Sequence, residues 1–157
     1  MKISIKKGFA FGLTSGIITT LGLVVGLNAG THSRAVVLGG ILIIAIADAL
    51  SDALGVHVSE ESESQNTSKQ IWESTFSAFV SKLVIALTFT IPVLLFSLDT
   101  AIVVSIFWGL GLIMAFSYYI SRDKKTKASS VIAEHLIIAV LVIVATHYIG
   151  QWISSVF

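Results

Sequence analysis

Five stretches of this sequence are apolar for long enough to cross a lipid bilayer, and that decides the fold class. They run at about Gly8–Asn28, Ala35–Val58, Thr75–Ser97, Thr100–Ser121 and Ser129–Ser154. In hydrocarbon every backbone amide needs an internal partner, so a span is a helix or a strand of a closed barrel. These runs are continuously apolar and lack the alternation of barrel strands. We therefore expect an all-α integral membrane protein with five transmembrane helices, a single domain over residues 1–157. Composition agrees: 55% of the residues are hydrophobic and 12% charged, more apolar surface than a soluble domain can hide. A cleaved leader is not expected, because the first apolar segment, Gly8 to Gly30, is itself of spanning length. Pro92 is expected to kink the third helix rather than end it.

The cationic residues of the short loops set an orientation. Lys2, Lys6, Lys7, Lys69, Arg122, Lys124, Lys125 and Lys127 fall on one side of the five spans, and Arg34 on the other. This bias predicts a cytoplasmic N-terminus and an outside C-terminus. Trp72, Tyr118, Tyr119 and Trp152 lie near the expected helix ends, where amphipathic rings settle among lipid headgroups. Residues 59–73 form a short acidic cytoplasmic linker between the second and third helices. It carries Glu60, Glu61 and Glu63, a weak cation-collecting patch beside His57. In the first helix Gly8, Gly12 and Gly16, then Gly22, Gly26 and Gly30, recur every fourth residue. Such a stripe lets helices approach closely, within the chain or across a dimer seam.

The second apolar run contains two aspartates, Asp48 and Asp52, four residues apart on one helix face. A carboxylate in hydrocarbon costs several kcal/mol unless a proton, a cation, a partner or water compensates it. At about 1.5 Å of rise per residue, Ser15, Asp52, Lys82 and Glu134 all fall roughly 8–10 Å from the cytoplasmic ends of their helices. Asp48 lies one turn deeper. Formally Asp48, Asp52 and Glu134 against Lys82 leave a charge of −2, which suits one divalent cation or two protons. A carboxylate in a low-dielectric site can carry either a proton or a share of a metal, and exchange between them is the minimal chemistry of a metal–proton antiporter. Oxygen donors favour hard or borderline ions such as Mn(II), Fe(II) and Mg(II). Cys is absent and the methionines are Met1 and Met114, which disfavours a soft-metal site.

The segment Gly12-Leu13-Thr14-Ser15-Gly16-Ile17-Ile18-Thr19-Thr20, followed by Ala47-Asp48-Ala49-Leu50-Ser51-Asp52-Ala53-Leu54-Gly55-Val56-His57-Val58-Ser59, resembles the first two helices of the vacuolar iron transporter (VIT) family. Ala78-Phe79-Val80-Ser81 with Pro92 resembles its third helix, and Tyr148-Ile149-Gly150 the end of its fifth. The likeness rests on order and spacing and extends over nearly the whole chain. It implies a five-helix fold, a homodimer, and export of Fe(II) or Mn(II) from the cytosol in exchange for protons. The chain departs from the family pattern at five places. Ser15 stands where an aspartate is usual, Asp52 where a methionine is usual, and Asp48 where a glycine is common. Lys82 replaces a small residue, and Val56 stands where many members have a glutamate. The long cytoplasmic metal-binding helices of the plant-type members have no counterpart here.

The expected function is proton-coupled transport of a divalent cation, Fe(II) or Mn(II) in type. Asp48, Asp52 and Glu134 would be carboxylate ligands, Ser15 a weak oxygen donor, and Lys82 an internal counter-ion. The transported ion is substrate, and no permanent cofactor is expected. The partners are the lipid bilayer, the cation, protons and a second copy, with the cytoplasmic membrane of a prokaryote as the location. The alternative is a non-transporting membrane scaffold whose Asp, Lys and Glu residues form structural ion pairs. No nucleophile–base constellation or metalloprotease helix marks an enzyme. The few basic residues sit at the membrane border, so nucleic acid is not an expected partner.

Overall fold

The computed structural model describes residues 2–121 and 127–157, which are helical with short connections. The helices are α1 (Ile3–Thr31), α2 (Arg34–Glu61), α3 (Ser68–Thr88), α4 (Thr90–Leu95), α5 (Leu98–Ser121) and α6 (Ala128–Val156). With α3 and α4 taken as one span, five helices are long and apolar enough to cross a membrane. The fold class expected from the apolar runs is therefore what the chain adopts. Arg122, Lys124 and Lys125 of the expected cationic loop lie outside the described residues.

The helices run beyond the apolar runs because their polar ends are locally satisfied. Ser33 caps α2, its hydroxyl accepting the Val36 amide, after a tight turn in which His32 takes a left-handed backbone (φ 47°). Thr67 and Gln70 form a reciprocal capping box that starts α3. The segment expected as a linker over 59–73 is thus mostly helix. Only Ser62 to Thr67 separates α2 from α3. The third span is interrupted at Phe89 and resumes as α4. Pro92 has no amide hydrogen to offer the Thr88 carbonyl four residues earlier, which accounts for the break one turn before it. Trp108 Nε1 on α5 donates to the Thr88 hydroxyl at 3.0 Å beside the interruption.

Helix α1 is the hub, packing most extensively on α3 and also on α6, α2 and α5. Its glycines decide how closely. A Cβ at Gly8 or Gly12 would collide with the backbone carbonyls of Ser74 and Ala78 on α3. At Gly22 it would reach 2.6 Å from Val142, and at Gly26 3.2 Å from Thr146, both on α6. Both stripes are consumed within the chain and offer no free dimer seam, which corrects the second use foreseen for them. Helix α2 turns Val37, Ile41, Ala45, Ala49 and Ala53 inward at every fourth position. Ile17, Leu21, Val24 and Val25 of α1 pack with Val37, Ile41, Phe89, Val93 and Ile113 into one apolar core. Ile43, Leu54, Phe107 and Leu141 are among the large apolar side chains left on the outside, as lipid contact requires.

Candidate site: a lysine–aspartate cluster between three spans

Lys82 is the centre of the site. Its side chain is 1% exposed, so its ammonium must find its partners inside the protein. Gly16 makes the approach possible, since an added Cβ there would lie 3.3 Å from both Cα and Cγ of Lys82. With α3 held this close to α1, the lysine stem reaches across to α2. Lys82 Nζ donates to Asp52 Oδ2 at 2.5 Å and to Ser15 Oγ at 3.0 Å, and it forms an ion pair with Asp48 Oδ2. Ser15 Oγ in turn donates to Asp52 Oδ2 at 2.6 Å. Asp48 Oδ2 is a buried oxygen that meets the ammonium as a charge and accepts no aligned hydrogen bond. The aspartate side chains keep 29% and 20% of their surface uncovered by the chain, so the cluster is closed on the lysine side and reaches the surface of the helix bundle on the aspartate side.

Of the residues expected in one polar layer, the structure brings together Ser15, Asp48, Asp52 and Lys82. Glu134 is not among them. It is exposed on α6, where it accepts from the Ser130 hydroxyl at 3.4 Å. Helix α6 meets α1 through Val142, Thr146 and Gly150, which leaves Glu134 on another side of the helix. The formal charge of the cluster is therefore −1, from two carboxylates and one ammonium, in place of the expected −2. Among the described residues no group of three or more His, Asp or Glu side chains is arranged to hold a metal ion. A cation here would take oxygens from Asp48, Asp52 and Ser15 and fill its other positions with water.

The residues expected near the ion inlet divide. His57 Nδ1 is 3.0 Å from the Thr75 hydroxyl, with its ring edge-on to Trp72, an interaction between α2 and α3. Glu60 is 7% exposed. It pairs with Lys7 of α1 at 3.2 Å and accepts from Asn66 Nδ2 at 2.8 Å. Glu63 lies 3.5 Å from Lys7, while Glu61 is exposed. Lys7 entered the sequence argument only as a loop charge. The signal that would have singled it out is spacing, since Lys7, Phe11 and Ser15 advance by four along α1 as Glu60, Val56 and Asp52 do along α2. The Ser117–His135 hydrogen bond, 2.7 Å between α5 and α6, was likewise not foreseen.

Fold and cluster together define a multi-pass membrane protein built around ionisable side chains inside its spans, a class in which such groups mark ion pathways or internal pairing. The sequence model of the VIT family matches residues 7–72, which carry Ser15, Asp48 and Asp52, so this part of the chain is similar to that family. No curated protein matches the chain.

Proposed function

We propose that this protein carries a divalent cation of the Fe(II) or Mn(II) type out of the cytosol in exchange for protons. Its N-terminus would face the cytoplasm of a prokaryotic cell and a second copy would complete the assembly. Asp48 and Asp52 would be the ligands and the proton acceptors, Ser15 an accessory oxygen, and Lys82 the charge that holds the site when the metal is absent. The observation that carries the reading is the ammonium itself. A fixed positive charge sits between two carboxylates and a hydroxyl inside the membrane spans, so the site already stabilises a cation there. Displacing that ammonium would leave two carboxylates for a divalent ion, with charge balance close to neutral. Electroneutral exchange then asks that the two carboxylates take two protons as the metal leaves, with Lys82 returning to them when those protons in turn depart.

The test is metal uptake into proteoliposomes loaded with a quenchable dye. Asp52→Ala should abolish Mn(II)-driven quenching while the protein remains folded and inserted. Unchanged flux in that variant would remove Asp52 from the mechanism. A second reading rests on the same contacts. Lys82 engages both aspartates and the serine, which is also how a structural ion triad would look. A scaffold of that kind would bind no Mn(II) at micromolar concentration, and Asp52→Ala would lower folded yield alone.

A further inference from the structure

Helices α1 and α2 meet in a ladder whose rungs recur every four residues. Ser15 faces Asp52 through a 2.6 Å hydrogen bond, and two turns nearer the N-terminus Lys7 faces Glu60 at 3.2 Å. The rung between them is Phe11 with Val56. It makes no polar contact, and a cavity of about 460 Å³ opens there, lined by Lys7, Phe11, Gly55, Val56, Ser59 and Glu60. At about 6 Å per four helical residues, this open cavity is one turn from the carboxylate of Asp52, and the ion pair lines its outer end. That pair is organised from both sides. Glu60 is also held by the Asn66 amide at 2.8 Å, and Lys7 is shared with Glu63 at 3.5 Å. Lys7 remains 45% exposed, so the closure can be broken without moving a helix.

We propose that Lys7 and Glu60 form a gate over this cavity, closing the route by which a small hydrated cation reaches Asp52. The proposal rests on the transport reading above. It adds the device that controls access to that site and names Lys7 as the residue that sets it. The arrangement repeats at the mouth what the interior does with Lys82. A lysine from a neighbouring helix occupies acidic side chains of α2, and a passing cation must compete with it. With the pair closed, Lys7 occupies the carboxylates of Glu60 and Glu63 that an incoming cation would use. With Lys7 turned to water, Glu60, Glu63 and the Ser59 hydroxyl present oxygens to the incoming ion.

The chain has no cysteine, so a single Val56→Cys reports on the cavity without background. The measurement is its rate of modification by a positively charged methanethiosulfonate reagent, with protein in nanodiscs and exposed Ser64→Cys as the reference rate. Adding Lys7→Gln should raise the Val56→Cys rate by about fivefold, the size an exposed ion pair can contribute, and leave the Ser64→Cys rate unchanged. Lys7→Met should do the same and serves if Lys7→Gln folds poorly. The exchange Lys7→Glu with Glu60→Lys should return the slow rate, which a loss of packing alone would not. Equal rates at Val56→Cys with the pair present and absent would overturn the gate. That outcome is separate from failure of the transport reading, which is decided by metal flux in Asp52→Ala.

Discussion

An ammonium with 1% of its side chain exposed holds its charge inside a membrane span only because two carboxylates and a hydroxyl surround it. This makes the effect of removing each member predictable. Asp52→Ala leaves Lys82 paired with Asp48 and Ser15, so the protein should stay folded and lose about 1.5–3 kcal/mol, the range for a hydrogen bond to a charged group. Thermal unfolding in detergent measures it. Lys82→Met acts in the opposite sense on ligand binding. It removes the internal competitor and leaves two carboxylates facing the open side. A unit charge about 4 Å away is worth roughly 4 kcal/mol at an effective dielectric of about 20, so Mn(II) should bind at least about tenfold more tightly by calorimetry. Binding unchanged or weakened in Lys82→Met would argue that the lysine is not in the cation's place. Depth along a helix was legible in the sequence, which is why Ser15, Asp52 and Lys82 were placed in one layer. Direction around the helix was not. Glu134 has the right depth and the wrong side, because the small-residue face of α6 fixes its rotation and no local feature of Glu134 reveals that.

At the scale of elements, α3 can bring Lys82 to Asp52 only because α1 has no side chain in the way. A Cβ at Gly12 would strike the Ala78 backbone carbonyl and come within reach of the Ser81 hydroxyl, and neither backbone can yield locally. Gly12→Ala should therefore lower stability by about 1–3 kcal/mol, as overpacking does, and push Lys82 away from α2. Gly39→Ala is the control, since nothing lies within 4 Å of its added Cβ. Its unfolding temperature should stay at or above that of the parent, because Gly is the poorer helix former. If both substitutions behave alike, the glycine stripe is not what sets the α1–α3 crossing. The four-residue glycine repeat was readable beforehand. Which neighbour each half of it meets was not, since Gly8 and Gly12 go to α3 while Gly22 and Gly26 go to α6. The polar segment after α2 misled for a related reason. Its composition reads as loop, but Thr67 and Gln70 cap a helix there and the Asn66 amide fastens the end of α2 through Glu60.

At the scale of the molecule, the asymmetry of the lysine–aspartate cluster gives direction a meaning. The cluster lies toward the end of the bundle that carries Lys2, Lys7 and Lys69, and Arg34 marks the other end, where its guanidinium donates to the Phe96 carbonyl at 2.6 Å. Loop cations are retained on the cytoplasmic side during insertion, so the gate and the cluster should open toward the cytosol. Two exposed loop serines turn this into a measurement in the cysteine-free chain, Ser64 between α2 and α3 and Ser97 between α4 and α5. In intact cells Ser97→Cys should react with a membrane-impermeant maleimide, and Ser64→Cys should react only after permeabilisation. The reverse pattern would turn the inlet outward. Export would then have to give way to uptake, because the cavity between Lys7 and Asp52 would draw its cation from the opposite side of the membrane.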